Sequence, residues 1–206
     1  MTTPETLSSL AVTPETAGIN PRVRGDAPLD LPELFGNRNP VVLEIGSGKG
    51  RFLIDEGKAH PEKNFLGIEK SLHYHRVIVD RIVRHALSNV KTVNYDAFEV
   101  MQKLLPAGSM SEIHIYFPDP WPRLREQKRR IIRPAAVEEM RRVLAPDGKG
   151  WYVTDHKEYF EKAVPVMADI FAIEAGEIFH EPPRTNYEAK YQAQGRPIYQ
   201  VAFRHR

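Results

Sequence analysis

The chain has 206 residues and no cysteine. That absence excludes a disulfide framework and any zinc site built on thiolates, and it suits a reducing cytosol. No apolar run approaches the roughly 20 residues that a membrane-spanning helix needs, so no membrane association is expected. The opening MTTPETLSSLAVTPET has neither a basic n-region nor a long apolar core. No signal peptide is therefore expected, and the expected location is the cytoplasm. The eight histidines form no H-x-x-x-H or H-E-x-x-H pair, and no metal is expected. The net charge of +2 is too small to argue for an anionic partner.

The distribution of charge says more than its sum. Residues 123–133 carry six basic side chains against one acid, Glu126. They follow directly on an alternating apolar run, 113–117, and a Pro-Asp-Pro-Trp turn. An acid, an aromatic and concentrated positive charge thus meet at the end of an expected strand. A nucleic-acid argument therefore has to be local.

Residues 1–39 show no sustained period and read as a mobile arm and an irregular lead-in, with Arg22 and Arg24 the basic side chains in it. From residue 40 to 206 a single domain is expected. Val41–Ile45 is a continuous apolar run broken by one acid, the pattern of a strand buried on both faces. Further strands are expected at 65–68, 90–95, 113–117, 150–154, 173–179 and 198–203. Helical spacing covers 51–60, 71–87, 97–105, a stretch opening at Pro134, and 156–171, where Pro165 implies a kink or break. The segment 180–197 reads as a polar loop. Strand and helix alternate, which points to an α/β sheet with crossover helices on both faces.

The first chemical candidate is Glu44-Ile45-Gly46-Ser47-Gly48-Lys49-Gly50. Glycines after a strand permit a tight turn and let a ligand approach the backbone. The dinucleotide fingerprint would need its third glycine at the position of Arg51, and the phosphate-loop spacing is absent. A carboxylate at Glu44 would repel a pyrophosphate and attract a cation carrying an amino group and a sulfonium. Alone, these glycines are equally consistent with a simple turn. The second candidate is a series: Glu44, Glu69, Asp96 and Asp119 each stand at or beyond the end of an expected strand, where open α/β sheets bind ligands. Glu69, 19 residues after Gly50, suits a carboxylate for two ribose hydroxyls.

LEIGSGKG (43–50), GIEKS (67–71), FPDPWP (117–122), the KRR triplet Lys128, Arg129 and Arg130, TDH (154–156) and TNYE (185–188) together make the chain resemble class I S-adenosyl-methionine-dependent methyltransferases. More narrowly it resembles the bacterial tRNA (guanine-N7)-methyltransferase family, from residue 41 to the C-terminus. The resemblance implies a Rossmann-like sheet of about seven strands, mostly parallel with an antiparallel closing strand. It implies S-adenosyl-methionine as methyl donor, bound by Glu44, Gly46, Gly48, Gly50, Glu69, Asp96 and Asp119. It implies a substrate guanine in the tRNA variable loop, contacted by Arg123, Asp155, Thr185, Asn186, Tyr187 and Glu188. Asp119 would be catalytic, Trp121 would stack on a nucleotide, and Arg125, Lys128, Arg129 and Arg130 would lie against RNA. Glu188 would share the guanine edge or pair with Arg184 or Lys190. Monomer and homodimer both fit the resemblance. The chain departs from the family pattern where Leu124 and Glu126 interrupt the basic block, where Arg123 replaces a common lysine, and where the arginine-rich N-terminal segment shrinks to Arg22 and Arg24.

Three rival readings bear on these residues. A methyltransferase acting on an exocyclic amine would more naturally show two prolines between acid and aromatic, whereas Asp119-Pro120-Trp121 has one. Methyl transfer to a small molecule belongs to the same class. A nicotinamide oxidoreductase conflicts with Glu44 and the glycine spacing, and a non-catalytic RNA-binding module conflicts with the intact acid series.

Overall fold

The computed structural model describes residues 12–21, 27–175 and 185–206. Arg22, Arg24, Arg184 and the second half of the expected strand at 173–179 lie outside them.

The lead-in is less irregular than its composition implies. Pro14–Ala17 (α1) is a single turn, closed at its start by a reciprocal capping box between Thr13 and Thr16. Gly18–Ile19 (β1) follows and pairs with a strand of the main sheet. Leu31–Phe35 (α2) starts at Asp30, whose carboxylate accepts from the Glu33 N–H at 3.0 Å, and stops at Gly36 with φ 69°. These elements are too short for periodicity to register, and only their caps announce them.

The sheet then builds as Val41–Ile45 (β2), Arg51–Ala59 (α3), Asn64–Ile68 (β3), Leu72–Arg84 (α4), Val90–Val93 (β4), Ala97–Leu104 (α5) and Met110–Tyr116 (β5). A 3-10 helix at Leu124–Arg129 precedes Pro134–Val143 (α6), Leu144–Thr154 (β6), Lys157–Ala168 (α7), Phe171–Ala175 (β7), Asn186–Ala193 (α8) and Tyr199–His205 (β8). Among the described residues the sheet has eight strands rather than seven, in the order β1-β4-β3-β2-β5-β6-β8-β7. The extra strand is β1. All pairings are parallel except those of β8 with β6 and β7.

Two apolar layers cover the sheet. On one face Phe52, Leu53 and Ile54 of α3 and Ile78 and Ile82 of α4 pack together. On the other, Val100 and Met101 of α5, Val137 and Met140 of α6, and Tyr159 and Ala163 of α7 form the larger core. β2 is buried along its whole length, so its unbroken apolar run is what a central parallel strand requires. Among the described residues no helix is long and apolar enough to cross a membrane.

Three local expectations need correction. α7 runs through Pro165 and ends at Ala168, so the proline neither splits the helix nor starts a new one. It falls in the last turn, where one lost N–H costs least. β6 begins at Leu144, six residues before the expected strand, and pairs Met110 with Leu144 and then Glu112 with Lys149. The Pro146-Asp147-Gly148 turn survives as an excursion between those pairs. The supposed polar loop at 180–197 contains helix α8. Thr185 is its N-cap, accepting from the Glu188 N–H at 3.0 Å. TNYE is itself a capping signature.

Candidate active site

β2 hands the chain to a turn at Gly46–Gly50 that leads into α3. Gly46 and Gly48 have φ of 80° and 53°, and a Cβ at either would meet nothing within 4 Å. They face open space, as a ligand-approaching backbone should. Gly50 is different. A Cβ there would lie 2.9 Å from Ile78 Cγ1, so this glycine seats the loop on α4 instead of facing a ligand. Gly67 of β3 escaped the sequence reading; a Cβ there would lie 2.6 Å from Ser47 Oγ and 2.3 Å from Leu53. Its small size lets the loop lie against β3.

Three of the four expected acids gather at this rim. Glu44 is 3 % exposed, flanked in register by Gly67 and His114, and its Oε2 is buried without a hydrogen-bond partner. Burial pushes its carboxyl up to about 8, and the charge on Glu69 adds to that. Glu69 lies just beyond β3. One of its oxygens accepts from the Gly48 N–H and the other from the Ser71 N–H, both at 2.7 Å. Burial raises its pKa against those bonds, and the Asp119 charge raises it further. Asp119, exposed at the end of β5, is therefore within electrostatic reach of Glu69. Asp96 stands apart. It caps α5 through the Phe98 and Glu99 N–H groups at 3.0 and 3.4 Å, and it pairs with Lys70 at 3.0 Å.

The Pro-Asp-Pro turn that carries Asp119 is strained at both ends. Phe117 has φ 49° and Trp121 has φ 43°, left-handed values for bulky aromatics, each at a cost on the order of 1–3 kcal/mol. Strain of this kind marks places the surroundings over-determine. Beyond the turn, Arg123, Arg125, Lys128 and Arg129 are exposed on and beside the 3-10 helix. Arg129 lays its guanidinium over the Trp121 ring at 4.8 Å. Arg130 turns the opposite way and is 5 % exposed.

α8 closes the arrangement from the far side. A cleft of about 260 Å³ runs between the glycine loop and α8, with Glu44, Gly48, Tyr116, Phe117, Thr185 and Tyr187 among its lining. Thr185 is buried, and its carbonyl accepts from Arg51 at 3.5 Å, tying the glycine loop to the start of α8. Asn186 and Tyr187 are exposed at the cleft, whereas Glu188 is 4 % exposed and faces inward. Phe117, Tyr187 and Tyr191 form an aromatic cluster with centroids 5.4 to 6.2 Å apart. Asp155, at the end of β6, binds Arg196 at 3.3 Å, and Arg196 stacks over Tyr191 at 4.8 Å. Arg51, Tyr74 and Tyr191 were not singled out from the sequence. Tyr74 lies on α4 and lines the cleft. Arg51 fills the place of a missing glycine and Tyr191 sits on an unexpected helix.

The family model for "Putative methyltransferase" matches residues 38–201. The tRNA (guanine-N(7)-)-methyltransferase of Nitrosococcus oceani is 34 % identical over 87 % of this chain and 78 % of its own length. Those of Aeromonas hydrophila and Sodalis glossinidius are 35 % and 36 % identical over 86 % and 85 % of this chain, and over 78 % and 77 % of their own lengths. The chain belongs to the tRNA (guanine-N(7)-)-methyltransferase family. Among solved structures, the 30S ribosomal A1408 methyltransferase from an uncultured bacterium aligns with a TM-score of 0.63 at 16 % identity, over 86 % of this chain and 93 % of that one. An antibiotic-related methyltransferase aligns at 0.60 and 22 % identity, over 87 % and 96 %. At such identities the likeness shows the fold, a class I methyltransferase sheet.

Within this family fold the rim suits a cationic methyl donor on grounds of its own geometry. An acid with an unpartnered buried oxygen, Glu44, sits at the floor of the cleft, and the two glycines beside it leave open space. A ligand ammonium would satisfy the orphaned oxygen and return the carboxyl to its charged form.

Proposed function

We propose that the chain transfers a methyl group from S-adenosyl-methionine to N7 of a guanine in the variable loop of tRNA. The observation that carries this reading is the unpartnered Glu44 oxygen beside the glycine loop, on the same rim as Glu69 and Asp119. The bound donor supplies a methyl group already activated on a cationic sulfur. Glu44 holds the donor's amino group and Glu69 its ribose hydroxyls, with Asp96 at the adenine end of the rim.

Guanine N7 has a free lone pair and needs no deprotonation before it attacks, so the chain's work is placement and charge. Asp119 accepts hydrogen bonds from guanine N1–H and N2–H and stabilises the positive charge that the purine gains. Trp121 and Tyr187 supply flat faces for a nucleotide lifted out of its stack. Arg123, Asp155, Thr185 and Asn186 border the base, and buried Glu188 supports them from beneath. Arg125, Lys128 and Arg129 meet phosphates. A tRNA substrate and a cysteine-free chain both support action in the cytoplasm, by a monomer or a homodimer, with residues 40–206 as the catalytic domain.

Incubation with unmodified tRNA transcript and methyl-labelled S-adenosyl-methionine, followed by mapping of the modified base, tests the reading. Label at a variable-loop guanine N7 supports it. RNA binding without label, or transfer to small molecules but not to tRNA, overturns it.

A further inference from the structure

Arg130 belongs to the basic run, yet it is 95 % buried by its 5 % exposure. Its Nε donates to the Pro120 carbonyl at 2.7 Å, and its guanidinium stacks on the Tyr159 ring at 4.6 Å. Its Nη2 is buried and has no partner among the described residues. A buried guanidinium with a free donor is costly, and such groups persist where they perform a task that a neutral side chain cannot. Pro120 lies between Asp119 and Trp121, in the turn whose ends, Phe117 and Trp121, are both held at positive φ. Tyr159 is fixed in turn, since its hydroxyl accepts from the Ile132 N–H at 3.1 Å. Arg130 and Asp119 both act on that hydroxyl, in opposite senses. Arg130 therefore lies beneath the turn, between the α7 core and the carbonyl that follows Asp119. It also closes the 3-10 helix that bears the exposed cations, through its N–H to the Gln127 carbonyl at 3.0 Å.

We propose that Arg130 is a positioning residue. It clamps the strained turn in the conformation that presents Asp119, and it links that turn to the RNA-facing basic helix. Neighbouring residues thus divide the labour: Arg129 faces outward over Trp121 and Arg130 faces inward under Pro120. For its effect on catalysis the proposal rests on the methyl-transfer reading above, and the clamp itself can be tested apart from it.

The test uses the full chain with Arg130→Lys and Arg130→Met, each also made in a Trp151→Phe background. Since the sequence has two tryptophans, that background leaves Trp121 as the sole indole reporter. With the turn released, kcat falls by roughly 10²-fold while KM for tRNA changes less than about twofold. The salt dependence of tRNA binding is unchanged, and acrylamide quenching of Trp121 rises. Added methylguanidinium restores part of the rate to an Arg130→Ala chain. Arg130→Lys keeps the charge and stem, so it remains folded if the larger changes do not. A salt slope that falls by about one, as for a phosphate contact, would overturn the proposal. Unaltered Trp121 quenching in folded Arg130→Lys would overturn it as well. If the unmutated chain methylates no tRNA, the functional reading fails, and the quenching comparison still decides the clamp.

Discussion

Glu69 accepts a hydrogen bond from the Gly48 N–H at 2.7 Å, so the acid after β3 and the loop after β2 form one unit. The same carboxylate receives the Ser71 N–H at the start of α4. Replacing Glu69 with Ala removes both acceptors and the proposed ribose contact. Donor affinity, measured by calorimetry, is expected to fall at least tenfold, about 1.4 kcal/mol. Glu69→Gln keeps one acceptor oxygen and should fall less. Equal affinity in Glu69→Ala would remove the acid from the site.

Glu44 makes the site pH-dependent in two ways. Its carboxyl titrates near 8 in the folded chain against an ordinary 4.5, so the folded state holds the proton more tightly. Stability from this group is greatest at or below pH 4.5 and declines as pH rises towards 8. Glu44→Gln should therefore leave Tm nearly unchanged at pH 4.5 and raise it at pH 8. A Tm gain that is the same at both pH values would contradict the buried, protonated carboxyl.

Pairing with a donor ammonium draws that carboxyl back to its charged form. At pH 7, donor binding should release most of one proton, read from calorimetry in buffers of differing ionisation enthalpy. Glu44→Gln should bind more weakly and release none. Equal proton release by both chains would place the amino group elsewhere.

The exposed cations are expected to set RNA affinity rather than the reaction itself. Lys128→Ala combined with Arg129→Ala should weaken tRNA binding and reduce the salt slope by about two, one for each lost phosphate contact. An unchanged slope would mean that this face of the 3-10 helix does not meet RNA.

α8 depends on its cap. Thr185→Ala should destabilise the helix by about 1 kcal/mol, seen as faster amide exchange across Asn186–Ala193, and Thr185→Ser should restore it. Because Asn186 and Tyr187 border the cleft, the same change should raise KM for tRNA.

These expectations show where the sequence was legible. The strands from β2 to β6 announced themselves because buried parallel strands are continuous apolar runs, and their ends located the acids. α8 was hidden because it has no apolar face: among its residues the buried one is Glu188, so only the Thr185 cap betrays it. β1 has two residues and shows no period at all. Arg130 could not be told from Arg129 by type or spacing. Which of them turns inward depends on where the 3-10 helix stops and on the Tyr159 ring beneath it. Asp96 looked like its three companions from strand position alone, but the first turn of α5 and Lys70 occupy it.

N7 as the methylated atom is tested most directly by removing that atom. Two tRNA transcripts, one with guanine and one with 7-deazaguanine at the same variable-loop position, are offered to the chain with labelled S-adenosyl-methionine. Label should enter the guanine transcript and be absent from the deaza transcript, while both bind with similar affinity. Equal labelling of the two would show that the methyl group goes to another atom.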